Sequence, residues 1–434
     1  MFMPPNSRYR LYGARMSYPR LLGHLLFGNF NGTRKDVEAL EREVEKDLGR
    51  KHALALMHAR NGVYLGVKHS ITPDKNEVIL SPYTIVEVVN MVIVAGGVPV
   101  FADVVPHTCN IDPDSIEPLI TDRTAAVIVT HLHGLLSDVE RIREICDRHG
   151  LKLFEDAAQA YGARIGDTKA GAFGDAGMFS FGMMKNINSF HGGMLVTDDT
   201  DLYEKAKAEN AQWDVMPKSN VFKRMLQGGF LSAATLPAAF KSFTYWLFRY
   251  GYLNDVDALM RWSRSENNPV RQTEMPEKYK WQTPNILARF TREQLPNVDA
   301  EYRKRLEIAR IYHEGLKDVA EIETPPWRED GSHTYMSYPI VIDDRVSLMK
   351  YLLRHGRDVA MQHMRNCADL DVFDQYRRDV PGAERTANSI LLLPTYPRYG
   401  KAEARKTVAL VRKYFESRDT VEATQLPEAA LAAE

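Results

Sequence analysis

Short apolar runs alternate with stretches of helical spacing between about residues 50 and 200. Glu77–Ser81, Val98–Asp103, Ala125–Thr130 and Leu151–Glu155 carry few polar breaks. Strands buried on both faces of a parallel sheet have this pattern. Between them, Thr84–Ala95, Asp112–Ile120 and Asp138–His149 place apolar residues at helical intervals. Asp112 and Asp138 are cap-like starts, and Gly150 is a stop signal. The alternation predicts an α/β fold with a mostly parallel sheet covered by helices. Ligands in such sheets bind beyond the carboxyl ends of the strands.

The pattern breaks after about residue 200, and Met216–Pro276 reads as an insertion. Residues 285–316 read as one long helix interrupted near Pro296. A smaller α/β unit follows, with strands at Tyr338–Asp343 and Ser389–Pro394 and helices at Ser347–His355 and Ala402–Ser417. The expected organisation is a large domain over 1–300, a small C-terminal α/β domain over 301–420 and a frayed tail over 421–434.

Composition adds exclusions. The 434 residues carry a formal net charge of -1, so no global basic field attracts nucleic acid. Cys109, Cys146 and Cys367 lie far apart, without metal-ligand spacing or a disulfide framework. With no signal-peptide layout at the start, the expectation is a cytoplasmic protein without a metal.

Two segments carry chemistry. Phe154-Glu155-Asp156-Ala157-Ala158-Gln159 places an acid where a strand ends, at the mouth of the sheet. A carboxylate there suits the pyridine nitrogen of pyridoxal phosphate (PLP), whose protonation makes the ring an electron sink. It also suits a plain helix N-cap. Ser180-Phe181-Gly182-Met183-Met184-Lys185 is followed by Gly192-Gly193 and another apolar run. A lysine there is suited to a Schiff base with the cofactor, its amine desolvated and able to act as a base. The alternative is an ordinary surface lysine.

Together these segments resemble the DegT/DnrJ/EryC1/StrS family of PLP-dependent sugar aminotransferases. Collinear matches include Pro82-Tyr83-Thr84, Ala95–Asp103, Asn110-Ile111-Asp112, Arg123-Thr124 and Val129–Gly134. Glu155–Gln159, Ser180-Phe181 with Lys185, Gly192-Gly193, Arg303–Tyr312 and Leu393-Pro394 continue the set. The resemblance implies PLP fold type I and a homodimer with each active site at the subunit interface. It makes Lys185 the Schiff-base lysine, Asp156 the partner of the pyridine nitrogen, Gln159 the residue against the ring face and Ser180 a phosphate ligand. A water-removing relative has His where this chain has Lys185, which favours transamination. The implied substrates are an amino-acid donor, glutamate, and a keto-sugar, nucleotide-linked. A lipid-linked or cyclitol ketone, a PLP dehydratase or decarboxylase, and a non-enzymatic binding protein are the rival readings.

The chain departs from the family at four places. Ala59-Arg60-Asn61 stands where the family has Ser-Gly-Thr, so phosphate would meet backbone N–H groups near Arg60 and Asn61. Arg60 then adds a charge or is a surface residue. Ile85 replaces an aromatic ring, and His191 replaces a glutamate. The family's partner-subunit Asn-Tyr-Arg falls near Tyr279-Lys280-Trp281-Gln282, with Lys280 the candidate for its phosphate role.

The insertion holds one more feature. Phe230–Phe248 is apolar nearly all round, with Lys241 its only charge. Such an element needs burial in protein or lipid. Pro237 and Lys241 argue against a simple span, and Phe240, Phe243, Leu247 and Tyr250 are expected on one helical face. Packing on the chain itself or at a dimer interface is one expectation. Peripheral contact with the inner membrane face through 230–253 is the other.

Overall fold

The computed structural model describes residues 5–11, 17–27, 33–260, 268–361 and 364–431. Residues 261–267 of the expected insertion and 432–434 of the expected tail lie outside the described residues.

A nine-stranded sheet forms the centre of the large part of the chain. In chain order its strands are β1 (His52–Leu56), β2 (Glu77–Leu80), β3 (Val98–Phe101), β4 (Thr124–Thr130) and β5 (Lys152–Asp156). β6 (Ala176–Ser180), β7 (Gly193–Thr197), β8 (Asp214–Val215) and β9 (Trp281–Gln282) complete it. The spatial order is β8-β9-β1-β7-β6-β5-β4-β2-β3. β3, β2, β4, β5 and β6 run parallel, and β7 is antiparallel to both β6 and β1. The four apolar runs of the sequence are four of the five parallel strands. In the three inner runs side chains are buried on both faces, Val78, Ile128 and Phe154 in one core cluster and Ile79, Val127 and Leu153 in another, while in the edge strand β3 Val98 and Val100 are only partly buried. That double burial explains why these runs lack a polar alternation.

The register aligns the carboxyl ends. Thr130 pairs with Asp156, and Asp156 with Met178, two residues before Ser180. The antiparallel β7 begins at the same edge, because Gly193 pairs with both Ser180 and Leu56. A Cβ on Gly193 would sit 2.5 Å from the Ala59 nitrogen. Glycine there lets the start of helix Ala59–Lys68 approach the sheet edge.

One expected helix is absent. Asp112–Ile120 forms two 3₁₀ turns, Pro113–Ser115 and Glu117–Leu119. Pro118 supplies no N–H and blocks continuation of an α-helix there. Asp112 does cap the first turn, accepting from the Asp114 N–H at 3.0 Å, whereas Asp138 makes no side-chain cap. Helix Val139–His149 stops at Gly150, which is left-handed at φ 63°. The long helix is divided as expected, into Asn285–Arg292, a 3₁₀ turn Leu295–Asn297 and Val298–Leu316.

A second, antiparallel sheet orders β10 (Tyr338–Val341), β12 (Ile390–Leu393) and β11 (Ala360–Met361). Its core includes Ile340, Leu348, Leu352 and Leu391. The closing helix begins at Lys401 and extends past Ser417 to Leu431. The insertion forms helix Lys218–Ala234, a break at Thr235–Leu236, a short turn Pro237–Ala239, a π-helical turn Phe240–Thr244 and helix Tyr245–Leu253. The π turn adds backbone per turn and rotates the downstream face. Phe240 is therefore buried with the small-sheet core while Phe243, Leu247 and Tyr250 are exposed, so the four do not share one face.

Candidate active site

The carboxyl edge of β4, β5 and β6 collects the sequence candidates. Asp156 ends β5 and is buried. Its Oδ1 accepts from the Ala158 N–H at 3.0 Å, so it also makes the local bond of a turn-capping Asp. Burial pushes its carboxyl up, opposed by that N–H, by Lys185 and by His131. Lys185 lies in the excursion between β6 and β7. The excursion is closed by Phe181 N–H to Gly192 O (2.8 Å) and by Lys185 N–H to Gly182 O (3.1 Å). Burial pulls the Lys185 amine down; Asp156 opposes this and Arg60 adds to it. Lysine and acid are thus within electrostatic reach of each other, and burial outweighs their mutual attraction in both.

Ser180 ends β6 half-buried, with its Oγ 3.4 Å from the Gly182 N–H. Gln159 Oε1 accepts from the His133 N–H at 2.9 Å, which fixes the side chain at this edge. Arg60 and Asn61 open helix Ala59–Lys68, whose N-cap His58 makes no side-chain cap bond. The Asn61 N–H donates to His58 O at 3.1 Å, so it is the N–H groups ahead of it that suit an anion at this helix start. Arg60 donates to Tyr279 Oη at 2.8 Å, lies over the Tyr279 ring at 4.8 Å and pairs with Glu87 at 3.4 Å. Asn61 is buried and donates to Tyr279 O at 2.8 Å. Lys280 is turned to Glu277 at 2.6 Å. It is Tyr279, its neighbour, that reaches the start of the helix.

Further residues line this edge, with contacts that the sequence does not show. His133 has a left-handed backbone (φ 57°), and its buried ring accepts or donates at Ser337 Oγ, 2.8 Å away. Burial, with Lys185 nearby, pushes it down to about 3, so it is neutral. His58 and His191 meet edge to face at 4.9 Å. His191 is pushed down to about 4 by burial and by Arg224 and Arg60. Beneath the edge, Glu155 and His131 are fully buried and 3.0 Å apart. Ile85, in place of the family's aromatic ring, packs against the main core.

These groups suit PLP. A desolvated amine matches an aldehyde, a carboxylate within its field matches a ring nitrogen, and a hydroxyl at the strand end together with the helix start beside Arg60 matches a phosphate. Fold and site define a PLP-dependent transaminase of fold type I. The chain belongs to the DegT/DnrJ/EryC1/StrS aminotransferase family, whose profile matches residues 23–226 and 258–412. It is 29% identical over 310 residues to the spore coat polysaccharide biosynthesis protein SpsC of Bacillus subtilis, covering 71% of this chain and 69% of that one. Among solved structures, DesI in the presence of its TDP-sugar product superposes with a TM-score of 0.72 at 24% identity, covering 98% of this chain and 96% of DesI. NtdA from Bacillus subtilis, with bound cofactor PMP, gives 0.69 at 22%, covering 91% and 81%. The last two likenesses concern the fold.

Proposed function

We propose that this enzyme moves an amino group from an amino acid, glutamate, to a keto-sugar carried on a nucleotide. The carrying observation is the Lys185–Asp156 pair at the carboxyl edge of the sheet, each group shifted toward neutrality by burial. SpsC by its name and DesI by its TDP-sugar product support a sugar acceptor, the latter on a nucleotide.

When bound, PLP supplies an electron sink for negative charge at the substrate α-carbon. Lys185 would hold the cofactor covalently and, once released, take and return a proton at that carbon. Its lowered basicity raises the share of unprotonated amine available for both tasks. Asp156 would hold a proton on the ring nitrogen. Ser180, the N–H groups ahead of Asn61 at the helix start and the Arg60 guanidinium would hold the phosphate, with Arg60 shared with Glu87. Gln159, fixed by the His133 backbone, would lie against the ring. The working unit in this reading is a cytoplasmic homodimer.

A lipid-linked keto-sugar is the second reading, favoured by the exposed apolar side chains of the insertion. The test loads the enzyme with pyridoxamine phosphate and offers nucleotide-linked and lipid-linked keto-sugars. Return of the visible band of lysine-bound cofactor, with an aminated sugar by mass spectrometry, identifies the acceptor class. Failure of every keto-sugar while a non-sugar ketone succeeds would remove the sugar assignment.

A further inference from the structure

The insertion has two opposed apolar surfaces. Inward, Val221 and Met225 pack with Ile286, Leu287 and Phe290, and Phe240, Tyr245 and Tyr252 join the small-sheet core. Tyr245 Oη donates to Leu353 O at 2.5 Å. Outward, Phe222, Leu226 and Phe230 recur every four residues along helix Lys218–Ala234. Phe243, Trp246, Leu247 and Tyr250 repeat at three- and four-residue spacing on the next helical element. All seven are exposed: Phe230 and Phe243 each to 69%, Tyr250 to 60% and Leu226 to 56%. A helix packed on one side of a soluble protein ordinarily turns polar residues outward. Rows of large apolar side chains left exposed along each helix mark surfaces that are covered in use.

Charge identifies what covers it. From Met216 to Asn254 the chain carries Lys218, Lys223, Arg224, Lys241 and Arg249 and no Asp or Glu, although the whole protein balances 56 basic against 57 acidic residues. Lys218, Lys223 and Lys241 are exposed. Arg249 lies 5.8 Å from the Trp246 ring. A two-fold contact with a second copy through this face would set the same basic segment against itself. The family profile leaves residues 227–257 unmatched, so Phe230, Lys241 and the Phe243–Tyr250 row are additions to the shared scaffold, while Phe222, Lys223 and Leu226 lie in the matched part. Among the described residues no helix is long and apolar enough to cross a membrane. The break at Leu236-Pro237 divides the apolar run into two short pieces.

We propose that residues 218–253 form a docking surface for an anionic phospholipid membrane, on which the enzyme rests without crossing. Lysines would meet acidic headgroups while the aromatic and leucine side chains enter the interface. This goes beyond the transamination reading and stands whichever acceptor is used.

The test is flotation of the full-length, PLP-loaded enzyme with phosphatidylcholine vesicles, with and without phosphatidylglycerol. Two variants run beside it: Phe243→Ser with Tyr250→Ser, and Lys223→Glu with Lys241→Glu. These side chains are exposed, and the charge variant leaves every apolar contact intact. The wild type should float only with phosphatidylglycerol, and added salt should weaken binding. Each variant should lose vesicle affinity by about tenfold or more, the charge variant because two cations become anions. Mass by light scattering and transaminase activity should match the wild type. The proposal falls if the wild type does not float, floats equally on neutral vesicles, or is matched by the variants. It falls equally if the serine variant dissociates an oligomer, since a second copy then covers the face. Should the serine variant unfold, the charge variant decides alone.

Discussion

Glu155→Gln tests the buried clamp beneath the active site. Glu155 Oε1 accepts from the Phe173 and Gly174 N–H groups at 2.7 and 2.6 Å. Oε2 accepts from the Gly171 N–H at 2.8 Å and meets His131 Nε2 at 3.0 Å. The His131 tautomer is set from its other side, because Nδ1 accepts from the Ser137 N–H at 3.1 Å. Nε2 therefore carries a proton, and all four partners of Glu155 are donors. A glutamine amide has one accepting oxygen and one donating NH₂. Either way of turning it aims the NH₂ at two buried N–H groups. Each unsatisfied buried donor costs about 1–3 kcal/mol, so the substitution should cost about 3–5 kcal/mol. For a chain of this length that corresponds to a fall of about 3–6 °C in the thermal midpoint of the PLP-loaded protein. Turnover should fall as well, because the His131 N–H donates to the Asp156 carbonyl at 3.0 Å and links clamp to site. Calorimetry of the two proteins side by side is sufficient. A variant melting within about one degree of the wild type would show that the four donors do not need a carboxylate, and the argument would be wrong.

Three further outcomes are expected. Lys185→Ala should lose the visible absorption of lysine-bound cofactor and all borohydride labelling; labelling through another lysine would refute its role. Asp156→Asn should slow proton removal from the donor amino acid by about 100-fold or more while weakening cofactor binding much less, as single-turnover kinetics would reveal. Burial, with His133 beside it, pushes His333 from 6.5 down to about 3. The fold favours its neutral ring, so its contribution to stability is complete above 6.5 and is lost as the pH falls toward 3. At pH 5 the loss from this one group is about 2 kcal/mol. His333→Phe should keep the stacking on Tyr335, whose ring centroid is 3.7 Å away, and narrow the gap between melting points at pH 7 and pH 5; an unchanged gap would mean the ring does not resist protonation.

What could be read from the sequence divides by the range of the interaction. The parallel strands were legible because burial on both faces leaves a local trace, a run without polar breaks. Asp156 and Ser180 are legible because each ends such a run, so locating the strand locates the side chain at its carboxyl end, and Lys185 follows five residues later in the excursion before β7. The segment Asp112–Ile120 misled because its apolar spacing is helical while Pro118 forbids the hydrogen bonds. Tyr279 stands in a candidate segment where the sequence favours Lys280, because the Tyr279 contact with Arg60 spans 219 positions and leaves no local signal. His133 was invisible for a related reason. Its strained backbone is held by Gly134, whose missing Cβ leaves room for Thr334, and by the Met336 N–H bonded to the His133 carbonyl at 2.9 Å. Neither feature has a local signal.

The electrostatics of the site follow from a single cause. Burial disfavours charge on either group, so it raises the Asp156 carboxyl and lowers the Lys185 amine even though each would stabilise the other's charged form. His133 is held neutral in the same way. The protein thus places an acid and a base within each other's field where burial disfavours the charge of both, and keeps its cationic groups, Arg60 and Arg224, toward His58 and His191 near the helix start. A ligand with a cationic ring nitrogen at one end and a phosphate at the other complements both regions. The nitrogen would restore the charge that burial disfavours on Asp156, leaving the Lys185 amine without its counter-ion and less basic still. On this argument Asp156 and Lys185 are not independent choices. Replacing the acid should change the basicity of the lysine, and the pH at which lysine-bound cofactor forms should move with it.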